Sequence, residues 1–229
     1  MASLYIANIR ILDLPANYER AYSAVSDERK EKADQYKNSE DKKRSLLSEL
    51  LLRKAINDKG IHLKSFHYEY GRYNKPYLKD ATDLFFNISH SGDYVILAVS
   101  DKEIGCDIEK IRKYELKIAE RFFTKREYED IIKIVKEDER QHRFFLYWVL
   151  KESFIKQSGH GLSQSLDSFE IRIDENKKIS VIRKDNESDL HFKQLEIIPD
   201  YCIAVCSYDE DVEVISLDRD DLFKEGEEE

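Results

Sequence analysis

Hydrophobic positions along the chain predict helices and strands in alternation. Leu4, Ile6, Ile9 and Ile11 alternate, with one break at Ala7-Asn8, and read as a first strand. Pro15 to Ala24 reads as a helix, and Ser26 as the N-cap of a charged helix that reaches Tyr36 and carries Arg29, Lys30 and Lys32. Ser39 opens a long helix to Asp58 with Leu47, Leu50, Leu51 and Ala55 on its apolar face, and Gly60 stops it. Phe66 to Tyr70 is a strand. Gly71 to Pro76 is a turn in which Lys75 stands beside a fixed proline.

The stretch Phe85 to Lys110 organises the rest. It reads as a polar turn (Ser89, His90, Ser91, Gly92), a buried strand (Tyr94 to Ser100) and a second strand (Ile104 to Ile108). Side chains alternate on a strand, so Asp107 and Glu109 share a face with Gly105, and Cys106 and Ile108 share the other. Two like charges held together need a proton or a cation. Mg²⁺ suits hard oxygen ligands and also takes substrate phosphates; Mn²⁺ suits the same donors.

Further on, Tyr114 to Phe123 is helical, and Thr124 with Glu127 forms a capping box for a helix over Lys125 to Lys136. Glu137 to Arg140 reads as a solvated junction before a long helix, Gln141 to Gln157, that stops at Gly159 and Gly161. Phe144 to Leu150 is apolar all round, which buries that helix. Glu152 and Lys156 follow, four apart on one face. They are either a plain ion pair at its exposed end or a third carboxylate and a lysine facing a phosphate. Strands follow at Phe169–Ile173, Ile179–Arg183, Phe192–Ile197 and Cys202–Ser207, and residues 225–229 are an acidic tail expected to be disordered. Asp93-Tyr94-Val95-Ile96 is echoed by Asp200-Tyr201-Cys202-Ile203, which suggests two similar α/β halves.

With 41% hydrophobic and 37% charged residues the chain is globular, and its net charge of -9 argues against general nucleic-acid binding while leaving room for a local basic patch. Cys106, Cys202 and Cys206 are odd in number and lie in apolar runs, as reduced core residues of a cytoplasmic protein do. The N-terminus does not read as a signal peptide, and no apolar run reaches membrane-spanning length. There is no P-loop and no dinucleotide fingerprint. His90 is a strand cap or a base without an evident acid; Arg44, Lys30, Lys32 and Lys75 are solvated face or ligands.

Three motifs in order carry a resemblance. Phe86-Asn87-Ile88-Ser89-His90-Ser91, Ile104-Gly105-Cys106-Asp107-Ile108-Glu109, and Phe122-Phe123-Thr124-Lys125-Arg126-Glu127-Tyr128 followed by Trp148-Val149-Leu150-Lys151-Glu152-Ser153-Phe154-Ile155-Lys156 resemble the signatures of the larger, surfactin-synthetase-activating 4′-phosphopantetheinyl transferases. The resemblance runs from about residue 26 to 207 and continues through Gly159-His160-Gly161-Leu162-Ser163; Cys106 stands where a branched aliphatic is usual. It implies an α/β fold of the α+β type, with two pseudo-twofold halves, 1–102 and 103–229, and the active site between them. The implied activity moves 4′-phosphopantetheine from coenzyme A to a serine of an apo acyl or peptidyl carrier protein, releasing adenosine 3′,5′-bisphosphate. It implies Asp107, Glu109 and Glu152 on Mg²⁺, Glu152 as base and Lys156 on the pyrophosphate. Arg44 and His90 would lie at the 3′-phosphate, Lys75, its turn fixed by Pro76, along the adenosine or phosphates and Ser89 near the pyrophosphate. The protein would act as a monomer, without nucleic acid or membrane, and dock its carrier through residues 114–126. A Mg²⁺-dependent nuclease or phosphodiesterase and a non-catalytic relative are the rival readings.

Overall fold

The computed structural model describes residues 1–63, 66–71, 73–81, 83–159, 161, 164–183 and 186–223, with the side chains of Asn186 and Glu187 left aside. His160, Leu162 and Ser163 of the third motif's continuation, and the acidic tail, lie outside them.

The chain runs through one plan twice. The first pass is β1 (Ala2–Asn8), three helices α1 (Pro15–Ala24), α2 (Asp27–Gln35) and α3 (Ser39–Asp58), a small sheet of β2 (Tyr68–Tyr70) and β3 (Pro76–Leu78), then a hairpin of β4 (Phe85–Ser91) and β5 (Tyr94–Ser100). The second pass is β6 (Gly105–Lys110), helices α4 (Leu116–Phe122), α5 (Lys125–Ile132) and α6 (Glu137–Ser158), a small sheet of β7 (Glu170–Ile173), β8 (Ile179–Arg183) and β9 (Asn186–Glu187), then the antiparallel pair β10 (His191–Leu195) and β11 (Tyr201–Ser207). The sheets repeat the order β1-β5-β4 and β6-β11-β10. The echoed Asp-Tyr pairs occupy matching places: Tyr94 pairs with Asn8 and Tyr201 with Lys110, while Ile9 and Ile111 donate to the carbonyls of Asp93 and Asp200 at 2.8 and 2.7 Å.

The alternation of each strand divides its side chains between two cores. Leu4, Ile6, Ile96 and Ala98 meet Cys106, Ile108, Ile203 and Val205 between the sheets. Tyr5, Val95, Leu97 and Val99 pack outward on Leu47, Leu51 and Ala55 of α3. In the second half, Cys202, Ala204 and Cys206 pack outward on the α6 side, with Val149, Leu150 and Phe154. The result is helices, sheet, sheet, helices, the α/β architecture expected.

Several expectations need correcting. Residues 89–91 are not a turn. They finish strand β4, and its polar side chains Asn87, Ser89 and Ser91 alternate because they face the other half. Glu137 to Arg140 is the first turn of α6, where Glu137, Asp138 and Glu139 favour the positive end of the helix. The first strand ends at Asn8, whose side chain caps a short 3-10 turn over Ile9–Leu12. Asn38, not Ser39, caps α3 by accepting from the Glu40 N–H. Strands β3 and β12 (Val212–Leu217) and helix α7 (Arg219–Phe223) were not anticipated. Residues 212–217, expected with the second half, join the first: β12 lies parallel to β1 at the edge of its sheet.

Candidate functional site

The two halves meet along β4 and β6, and the site is built on that seam. Asn87 Oδ1 accepts from the Cys106 N–H at 2.8 Å, and Ser91 Oγ accepts from the Lys110 N–H at 3.1 Å. Between these anchors, Ser89 donates to Asp107 Oδ1 at 2.7 Å, and Ser91 donates to Glu109 Oε2 at 2.9 Å. The polar residues of the first motif thus fix the carboxylates of the second.

Helix α6 closes the site from the other side. A side chain at Gly105 would place its Cβ 2.1 Å from the Ser153 carbonyl and 2.3 Å from the Gln157 N, so only glycine lets α6 lie this close to β6. That approach brings Lys156 Nζ to Asp107 Oδ1 at 2.6 Å and to Ser89 Oγ at 3.1 Å. It also sets Glu152 in the field of Asp107 and Glu109. Burial pushes the Glu152 carboxyl above its ordinary value, Asp107 adds to this and Lys156 opposes it. Glu109 is raised too, by burial against the Ser91 hydrogen bond and with Asp107 adding. Burial alone would lower the Lys156 ammonium, but Asp107, with Cys106 and Glu152, outweighs it and the net shift is upward.

The arrangement can accept a hard cation. Asp107 Oδ2 is buried and has no hydrogen-bond partner, and the neighbouring donors are carboxylate oxygens. Among the described residues no three His, Cys, Asp or Glu side chains already form a group that could hold a metal ion, and Lys156 donates to Asp107 Oδ1.

Beside the carboxylates lies a basic cup of about 280 Å³, lined by Arg29, Lys32, Arg44, Ser45, Tyr68 and His90. Its charges crowd one another: burial and then Arg29 lower the Lys32 ammonium, and burial and then Arg44 lower His90. Ser45 Oγ is buried there without a hydrogen-bond partner. An anion would relieve all of these. Arg44 is aimed by Asp41, at 2.6 Å, and by the Gly92 carbonyl, also at 2.6 Å.

Of the residues singled out from sequence, Ser89, Asp107, Glu109, Glu152 and Lys156 come together, and Arg44 and His90 face the cup. Pro76 lines both the cup and a separate cavity of about 420 Å³. Lys75 lines that second cavity and not the cup. Its ammonium binds Glu103 and the carbonyls of Ile104 and Gln157, which ties the first half to the seam. Arg29, Ser45 and Tyr68 were not named as site residues, and Lys32 was left as solvated face or ligand; the three-residue spacing of Arg29 and Lys32 on a helix face was the available signal.

The chain is similar to known proteins. Residues 103–206 match the family described as the 4′-phosphopantetheinyl transferase superfamily, and residues 14–102 match "4′-phosphopantetheinyl transferase, N-terminal". The chain is 39% identical over 206 residues to 4′-phosphopantetheinyl transferase Sfp of Bacillus subtilis (strain 168), covering 88% of this chain and 92% of that one. It is 39% identical over 215 residues to 4′-phosphopantetheinyl transferase ffp of Bacillus subtilis, covering 90% and 96%. A crystal structure of Thermotoga maritima holo-[acyl-carrier-protein] synthase aligns with a TM-score of 0.38 and 20% identity, over 45% of this chain and 61% of that one. The chain belongs to the 4′-phosphopantetheinyl transferase superfamily, and it is a 4′-phosphopantetheinyl transferase of the Sfp type.

Proposed function

We propose a division of labour across the seam for transfer of 4′-phosphopantetheine from coenzyme A to a serine of an apo carrier protein. The half up to residue 102 holds the nucleotide, and the half from residue 103 handles the scissile pyrophosphate. What carries this reading is the gathering of Asp107, Glu109 and Glu152 near Lys156, beside a basic cup.

Arg44 and His90 take the 3′-phosphate in the cup, with Arg29 and Lys32 adding field, and Pro76 borders the adenosine. Asp107, Glu109 and Glu152 would hold Mg²⁺. When bound, that ion neutralises the pyrophosphate and polarises the phosphorus–oxygen bond. Glu152 accepts the proton of the incoming serine hydroxyl, a task suited to a carboxyl whose pKa is raised. Lys156, steered by Asp107 and Ser89, donates hydrogen bonds to the pyrophosphate and a proton to the departing phosphate, leaving adenosine 3′,5′-bisphosphate. Ser89 holds its neighbours rather than reacting.

The carrier docks on α4 and α5. There Phe122 and Ile132 are exposed, with Val135 exposed just beyond α5, and Lys117, Arg121, Lys125 and Arg126 are exposed on the same two helices. This patch offers a basic, apolar surface to an acidic partner on a protein of net charge -9. The enzyme works as a monomer, since one chain supplies both cup and carboxylates, and without nucleic acid. Free, buried Cys106, Cys202 and Cys206 fit a cytoplasmic site of action, and no described helix is long and apolar enough to cross a membrane.

Intact-mass spectrometry of an apo peptidyl carrier protein incubated with enzyme, coenzyme A and Mg²⁺ tests this. One phosphopantetheine should be gained, and Asp107→Ala should lose the gain. A gain that survives Asp107→Ala would sink the account of the metal side.

A further inference from the structure

The turn between β4 and β5 touches both sides of the site. Its Gly92 carbonyl accepts from Arg44 Nη1 at 2.6 Å, and Ser91 beside it donates to Glu109 at 2.9 Å. The turn is held from the opposite half. The Asp93 N–H donates to the hydroxyl of Tyr201 at 3.1 Å, and Tyr201 is buried at the start of β11. The fit leaves no slack. Gly92 has φ 53°, and a Cβ there would lie 2.4 Å from the Tyr201 hydroxyl and 3.0 Å from Lys110 Cδ. The Tyr201 ring is itself fixed edge-on to Tyr94, with centroids 5.1 Å apart, and lies under the Lys110 ammonium at 5.9 Å.

We infer that Tyr201 is a positioning residue: from the second half, its hydroxyl sets the turn through whose Gly92 carbonyl Arg44 is aimed at the nucleotide. A strand that carries no reacting group thereby registers the phosphate-binding arginine against the carboxylates. Its echo partner lacks this role. Among the described residues the Tyr94 hydroxyl makes no hydrogen bond; Tyr94 supplies only its ring to Tyr201.

The inference rests on the assignment of Arg44 to the 3′-phosphate, and the test separates the two. The preference for coenzyme A over 3′-dephospho-coenzyme A, as a ratio of kcat/KM, is measured in the parent enzyme, Arg44→Ala, Tyr201→Phe, the double variant and Tyr94→Phe. Tyr201→Phe should narrow the preference about fivefold, what one ordinary hydrogen bond carries. It should act through the KM for coenzyme A and leave kcat near that of the parent. The double variant should narrow the preference no further than Arg44→Ala alone, and Tyr94→Phe should leave it unchanged. A general loss of packing would lower both donors alike and keep the ratio.

If Arg44→Ala narrows the preference but Tyr201→Phe does not, or if the two effects multiply in the double variant, the inference is wrong and the assignment of Arg44 stands. If Arg44→Ala itself leaves the preference intact, the assignment fails and takes the inference with it. Gly92→Ala offers an independent check. It should raise the KM for coenzyme A more than Tyr201→Phe does, and adding Tyr201→Phe should recover part of that loss by removing the hydroxyl the new methyl strikes. No recovery would count against the latch.

Discussion

The two passes of the chain share one plan and fill it with opposite charge. In register, the places of Asp107 and Glu109 in β6 correspond to Tyr5 and Ala7 in β1. There the first half is apolar against α3, and its charged side chains gather at the edge, as Arg29, Lys32 and Arg44 around the cup. The second half puts charge in the middle of the strand and leaves α6 to supply Glu152 and Lys156. Even the buried anchors differ in sign. Glu49 of α3 accepts from the Ser26 N–H, Arg29 and Arg53, while Lys151 of α6 pairs with Glu127 at 2.8 Å and donates to the Leu166 and Phe169 carbonyls. A repeated scaffold thus yields one site rather than two, because each half offers what the other lacks: a basic cup, and a cluster of carboxylates.

The sharpest way to break that comparison is at the helix–strand contact. Gly105→Ala should cost at least about 10²-fold in carrier modification, since it drives α6 and its Glu152 away from β6, and about 1–3 kcal/mol in stability. The matching Ser3→Ala in β1 should be near neutral in both assays. Equal activity losses would mean the α6–β6 spacing does not set the site.

Next come the buried anchors. Glu127→Gln leaves Lys151 buried without a counter-charge and should destabilise by about 3–5 kcal/mol in denaturant unfolding. Glu49→Gln should cost less, because Arg53 reaches solvent, with a side chain 36% exposed. If the order is reversed, the two anchors do not do corresponding work.

Glu152→Gln separates activity from stability. Transfer should fall at least about 10²-fold. The metal-free variant should nonetheless melt higher than the parent at pH 8. The raised Glu152 and Glu109 carboxyls mean that the folded protein still binds protons the unfolded chain has released. Stability therefore declines as pH rises from the ordinary carboxylate range through their folded values, and stays reduced above them. Removing one carboxyl lifts that burden by about 2–4 °C for each kcal/mol, and the gap should close towards pH 5. A variant that melts lower than the parent at pH 8 would show that the buried carboxyls do not carry this burden. The smallest effect belongs to the cup: His90→Ala should raise the KM for coenzyme A a few-fold while the KM for the carrier stays put.

Much of this was legible in the sequence where side chains act within one element. The shared face of Asp107 and Glu109 followed from strand alternation, and Glu152 with Lys156 from helix spacing. The Asp-Tyr echo marked the duplication. What crossed between elements was hidden. Ser89 and Ser91 looked like a turn because their partners sit on another strand. Nothing local to Lys75 shows that Glu103 and two carbonyls hold its ammonium. The acidic start of α6 looked like a junction because the helix dipole that favours it leaves no hydrophobic pattern. Strand β12 escaped notice because its pairing partner lies at the other end of the chain.

That last strand bears on how the protein is made. Ribosomal synthesis is vectorial, and β12 cannot dock beside β1 until residue 217 has cleared the exit tunnel. Until then the outer edge of the first sheet stays bare, and so does the apolar surface that Leu222 and Phe223 of α7 later cover. Until then the nascent chain displays an open template for strand addition, the kind of edge that chaperones exist to shield.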